Sequence, residues 1–228
     1  MKYLLCLLIV LGSTISTYSN KSIDWYNYSR FLAGLESKGY ENITKTGYYK
    51  QHKKFLHTFW NHLKKDTIEK IRRWQPNHVP KLKKDYTAFY PLSGADAVNM
   101  FLIYPNATNY LMIGEERPGI IYNFNAMPPW KLMHGLASVR RIISAYGMFN
   151  YFSSKVLKKE TSNLYLKGTM PPILIFMTRL GYKIKKVELV EINTSGKLVL
   201  RNKGYGTKGV RIYFNKPGQS KLCSLVYL

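Results

Sequence analysis

The chain of 228 residues carries 35 Lys and Arg against 12 Asp and Glu, a formal net charge of +23. Its hydrophobic content of 46% excludes a disordered, charge-dominated chain and is enough for one sizeable core. Two cysteines exclude a dense disulfide framework, and the positive excess predicts attraction to polyanions.

From the N-terminus, Met1-Lys2 gives a short positive start, Tyr3–Gly12 an apolar run, and Ser13–Asn20 a small, polar stretch. That order is a secretory signal peptide, and it predicts a mature chain in the periplasm or outside the cell. The apolar run is about half the ~20 residues that a helix needs to cross a bilayer core, so a removable leader is expected rather than a retained anchor. Small residues stand at −3 and −1 for cleavage after Ser16 or after Ser19. Removal of residues 1–19 takes away Lys2 alone among the charged residues, and Cys6. Cys223 remains as the one thiol, so no internal disulfide can form.

The rest reads as a single α/β domain over 20–228. A short helix is expected at about Ile23–Ser37, broken by Gly39. Residues 51–75 place Phe55, Phe59, Leu63, Ile68 and Ile71 at near-helical spacing, which predicts an amphipathic helix ended by Pro76 and Pro80. Tyr86–Leu92 reads as a strand, Ser93-Gly94 as a turn, Ala95–Tyr104 as a helix and Tyr110–Ile113 as a second strand. Strand, turn, helix and strand within about 30 residues form a Rossmann-like βαβ unit (about 86–113), with its two strands parallel. A helix follows over 129–160 with Leu132, Leu136, Val139, Ile143 and Tyr146 as its apolar stripe. Another is expected over 170–180, opened by Pro171-Pro172 and closed by Gly181. Alternating strands complete the chain at 185–192, 197–200, 209–214 and 220–227, with turns at Gly196 and Pro217-Gly218. The expected fold is α/β: a mixed sheet with one βαβ unit, a helical N-terminal layer and antiparallel C-terminal strands.

The candidate ligand site follows from that topology. Open α/β sheets bind ligands beyond the carboxyl ends of parallel strands, and the N–H groups that open the next helix can meet an anion. Ser93, Gly94 and Asp96 occupy that position after the first strand, and Glu115 and Glu116 after the second. An acidic residue about 20 positions beyond the glycine is where a ribose hydroxyl is held in nucleotide-binding units, so a nucleotide or S-adenosylmethionine-like ligand fits the spacing. Against that, Gly94 is one glycine where the nucleotide fingerprint has two or three, and Ser93 and Asp96 are good helix caps in their own right. No cofactor can be named from these residues.

Phe89-Tyr90-Pro91-Leu92-Ser93-Gly94-Ala95-Asp96, then Tyr110–Glu116 and Gly119, resemble a family of uncharacterised exported bacterial proteins with a Tyr-Pro-Phe-Ser-Gly-Pro-Asp-like motif. Gly168-Thr169-Met170-Pro171-Pro172 and Gly209-Val210-Arg211-Ile212 extend the likeness over roughly residues 86–222. The chain departs from the pattern at Ala95 and Glu115. The resemblance implies export and fold but brings no activity. It also implies a shortened member, because the chain stops on the apolar run Leu222–Leu228.

Other constellations are incomplete. His52, His57 and His62 are five residues apart, so on a helix they point in different directions and suit solvated or stacked roles rather than a metal site. Ser93 has Pro91 where a nucleophile elbow has glycine. Residues 45–84 hold 12 Lys and Arg against Asp66 and Glu69, interleaved with Phe55, Phe59, Trp60 and Trp74. Basic groups between aromatics suit a polyanion, or else form a solvated face with the aromatics turned inward. The leading expectation is an exported binding or degenerate domain of the cell envelope with a basic surface for an anionic partner. The alternative is an enzyme, or its remnant, with a ligand pocket at the Ser93–Asp96 turn.

Overall fold

A computed structural model describes residues 23–79, 85–92, 96–148, 165–201 and 207–228. The expected leader, the Ser93-Gly94 turn and positions 149–160 of the expected long helix lie outside the described residues. Six strands form one sheet: β1 (Thr87–Tyr90), β2 (Asn109–Met112), β3 (Lys183–Ile192), β4 (Leu198–Leu200), β5 (Thr207–Asn215) and β6 (Leu222–Tyr227). Their spatial order is β1-β2-β6-β5-β3-β4. β1, β2 and β6 are parallel neighbours, and the remaining pairs are antiparallel. The expected βαβ unit is present, with Thr87 opposite Asn109 and Tyr90 opposite Met112.

The apolar C-terminal run owes its character to its place. β6 lies between β2 and β5, and Cys223, Leu225 and Tyr227 point into the core. Two side chains just before it set its position. The Asn215 amide donates to the carbonyls of Ser220 (2.8 Å) and Lys221 (2.9 Å), which closes the β5–β6 connection. The Lys216 ammonium, buried and lying over the Tyr110 ring, donates to the carbonyls of Pro105 (2.6 Å) and Ala107 and so ties that connection to the entry of β2.

The helices pack on one face of the sheet. α1 (Trp25–Leu32) opens on Asp24, whose carboxylate accepts the Asn27 N–H at 3.1 Å, and buries Trp25, Tyr28, Phe31 and Leu32. It stops five residues before the expected Ser37. Gly34 takes φ +65° while the Leu35 N–H closes on the Arg30 carbonyl at 2.9 Å, a left-handed cap that ends the helix. Phe31 then stacks between Tyr40 and Tyr49, at 4.5 and 4.9 Å.

After the single turn α2 (Glu41–Thr44), α3 (Gly47–Leu63) continues through a π-helical turn at Lys64–Ile68 into α4 (Glu69–His78). Pro76 does not end this helix as expected, and Pro80 lies outside the described residues. Pro76 sits in the last turn, where a proline removes one helical hydrogen bond, and local contacts hold the turn closed. The Gln75 amide donates to the Ile103 carbonyl at 3.1 Å, and Trp74 stacks on His78 at 4.9 Å.

α5 (Ala97–Ile103) crosses from β1 to β2, and α6 (Pro129–Met148) buries Leu132, Leu136, Val139 and Ile143. α7 (Met170–Arg179) is the centre of the molecule: every residue from Met170 to Thr178 is buried, against β3 on one side and α1, α5 and α6 on the others. Its prolines stand in the first turn, where no N–H partner is lost, and Gly181 takes φ +91° after its end. Among the described residues the other face of the sheet carries no helix, and Phe89 on the edge strand is 57% exposed there.

Replacement of Lys216 by Met should cost about 2 kcal/mol, because the buried Ala107 carbonyl and the partly buried Pro105 carbonyl lose a charged donor. Urea unfolding of the two proteins at equal pH checks this. A loss below ~0.5 kcal/mol would mean that the ammonium does not position β6.

Candidate functional site

Parallel β1, β2 and β6 end together at Tyr90, Met112 and Tyr227. Beyond the ends of β2 and β6 lies a cleft of about 410 Å³. Its charged lining is Glu115, Glu116, Arg117, Lys167, Arg201 and Lys208. The carboxylates and Arg117 follow β2, Lys167 precedes α7, Arg201 follows β4 and Lys208 opens β5, so four stretches of chain meet at the cleft.

Two glycines make its floor possible. Gly119 and Gly168 both take φ +93°, and their backbones cross so closely that a Cβ on Gly168 would lie 2.3 Å from the Gly119 nitrogen. The Thr169 and Met170 N–H groups donate to the carbonyls of Arg117 (3.1 Å) and Pro118 (3.0 Å), locking the two strands of chain together. Behind them the Tyr122 hydroxyl accepts the Lys167 N–H at 2.8 Å, and the Tyr28 hydroxyl accepts the Tyr122 N–H at 3.3 Å. Gly114 has a matching role: a Cβ there would lie 2.5 Å from the Tyr227 hydroxyl, which instead reaches under the loop and donates to the Glu116 carbonyl at 2.6 Å.

Of the predicted site residues that are described, Glu115 and Glu116 line the cleft and Asp96 does not. Ser93 and Gly94 lie outside the described residues. Glu115 is exposed on the cleft wall, whereas Glu116 is buried, with a carboxylate oxygen 3.4 Å from the Tyr227 hydroxyl. Asp96 is buried at the start of α5 and does not line the cleft. Its carboxylate does not cap that helix through a backbone N–H, as its position suggests; it accepts the Asn99 amide at 3.0 Å instead. Burial pushes this carboxyl up to about 7, against the smaller opposing effect of the Asn99 donor. Gly114–Glu116, Gly119 and Gly168 border the cleft or its floor. Arg201 and Lys208 carry no local sequence signal, because only strand pairing brings them there.

The histidines separate as their spacing requires. His57 and His62 are exposed, but His52 is fully buried, with one ring nitrogen 2.8 Å from the Leu32 carbonyl and the other without a partner among the described residues. Burial pushes its pKa down to about 4, and the nearby Arg140 and Arg179 cations act in the same direction. No group of three potential metal ligands occurs among the described residues.

The second candidate surface is the outer face of α3 and α4. Lys50, Lys53, Lys54, Lys64, Lys65, Lys70, Arg72 and Arg73 are all exposed, and none of them makes an ion pair with a carboxylate among the described residues. Phe55, Phe59, Trp60 and Ile71 pack inward as partly buried residues, while Trp74 is 46% exposed. The aromatics are therefore mostly core, and the cations are a solvated face. Comparison with protein-family models, characterised proteins and solved structures gives no match, so the likeness stated above rests on its quoted residues alone.

Asp96 and His52 predict opposite responses to pH. The folded Asp96 binds its proton up to about pH 7, against 3.8 as its ordinary value, so its contribution to stability falls as pH rises through that window. The folded His52 resists protonation down to about pH 4, against 6.5, so its contribution falls as pH drops through that window. Asp96→Asn should gain stability relative to the parent as pH rises from 4 to 7, and His52→Gln should gain as pH falls from 6.5 to 4. Denaturant midpoints across that range measure both; parallel curves for variant and parent would refute the assignment.

Proposed function

We propose that this chain is an exported binding domain of the cell envelope that holds an anionic surface or polyanion on the outer face of α3 and α4. The leader-like N-terminus motivates the location. The observation that carries the reading is the row of exposed lysines and arginines from Lys50 to Arg73, opposed in that stretch by Asp66 and Glu69 alone. Such a face holds a positive potential that a polyanion relieves by releasing its counterions. Phe55, Phe59, Trp60 and Ile71 of the same helices are turned to the core, so the cations make most of the contact, with Trp74 as an exposed ring beside them.

A second reading is favoured by a separate observation. The strand-end cleft of about 410 Å³ lies where open α/β sheets take small ligands, and Arg117, Lys167, Arg201 and Lys208 would hold an anionic group there. On this reading the domain is an enzyme or the remnant of one, with Glu115 or Glu116 to take a hydroxyl or a proton. Asp96, outside the lining, has no direct part in it.

Two measurements separate the readings. Vesicles containing anionic lipid should bind the chain, and affinity should fall at least about tenfold as salt rises from about 50 to 500 mM; salt-independent or absent binding would reject the first reading. For the second, a panel of nucleotides and phosphorylated metabolites should raise the melting temperature of the parent but not of Arg201→Ala/Lys208→Ala. A panel without any shift would reject it.

A further inference from the structure

We propose that the basic face contains one defined seat for a phosphate monoester, in the groove between the C-terminal end of α1 and α3. This rests on the anionic-partner reading and gives it a ligand class. The groove has a volume of about 660 Å³. Lys50, Lys53, Lys54 and His57 line it at i, i+3, i+4 and i+7, the spacing of one helical face. Arg30 and Arg179 line it from the other side, and Glu36 is the one carboxylate among the described lining residues.

The two arginines make this a built site and not a patch of mobile lysines. Arg179 comes from the last turn of the buried helix α7, and its Nε–H donates to the Ala33 carbonyl at 2.8 Å. Its guanidinium passes beside Gly34, where a Cβ would stand 3.5 Å from Nη2. Arg30 lies over the Tyr26 ring at 5.3 Å and donates through Nε to the Glu36 carbonyl. Each guanidinium is therefore held by its Nε while its terminal N–H groups meet no acceptor among the described residues. Fixed guanidinium forks match the oxygens of a phosphate, and the three ammonium groups supply charge around it. Burial lowers the affinity of Arg179 for its proton, and a bound dianion would compensate that burial. Among the described residues no Phe, Tyr or Trp lines the groove and His57 is its one ring, which argues for the ester headgroup over single-stranded nucleic acid.

The ester could reach the groove on a lipid surface or in solution, and the test separates the two. The full chain is titrated with vesicles of phosphatidylcholine containing phosphatidic acid, and separately with glycerol 3-phosphate by calorimetry. Lys50→Ala/Lys53→Ala/Lys54→Ala is compared with Lys64→Ala/Lys65→Ala/Lys70→Ala, which removes the same charge outside the groove. Arg179→Lys keeps the charge but loses the fork, and circular dichroism confirms its fold.

The groove triple and Arg179→Lys should each weaken phosphatidic-acid binding about tenfold more than the control triple. Saturable one-site binding of glycerol 3-phosphate, lost in the same variants, identifies a soluble ester as sufficient. Loss confined to vesicles identifies the lipid headgroup as the source. Equal weakening by both triples with no effect of Arg179→Lys would overturn the seat and leave the diffuse basic face standing. Absence of any binding by the parent chain would remove both.

Discussion

The structure depends on the insertion of the last strand, β6, between β2 and β5. Parallel pairing with β2 and antiparallel pairing with β5 join the βαβ half of the sheet to its antiparallel half. The strand can occupy that place because its alternate residues Cys223, Leu225 and Tyr227 are apolar or aromatic enough to be buried in the core. Asn215 and Lys216 then fix where it enters. A chain with a polar run at this point would leave two half-sheets with open edges.

The strand-end cleft follows from the same insertion. With β1, β2 and β6 parallel, their carboxyl ends lie on one side, and the loops after β2 and before α7 must cross above them. They cross at Gly119 and Gly168, where any side chain would meet backbone atoms that cannot move aside. Tyr227 completes the arrangement from below, through the space left by Gly114. The cations around the cleft come from four segments distant in the chain, brought together by the strand pairing of the sheet and by the Gly119–Gly168 crossing.

The helical layer divides its surface differently. α3 turns His52, Leu56 and Leu63 inward and leaves its lysines in water. Burial makes His52 a neutral, hydrogen-bonded core residue, although its neighbours His57 and His62 are solvated. Spacing alone could show that the three rings diverge, but it could not show which of them faces inward, because the surrounding aromatics make both sides of the helix partly apolar.

The sequence alone determined the elements whose cause is local. Period-2 alternation with turns at Gly196 and Pro217-Gly218 located the C-terminal strands, and prolines in a first turn followed by Gly181 located α7. The βαβ unit was legible because two short apolar runs flank a helix within one crossover length, and the net charge because it is a sum over residues. Tertiary structure decided what depends on contacts distant in the chain. It ended α1 at a left-handed Gly34 packed on α3, carried α4 past Pro76 through contacts to α5, buried Asp96 away from the cleft and gathered Arg117, Lys167, Arg201 and Lys208 around it. The physical reason is that helix and strand periodicity are set by neighbouring residues, whereas burial and charge clustering are set by which elements pack together.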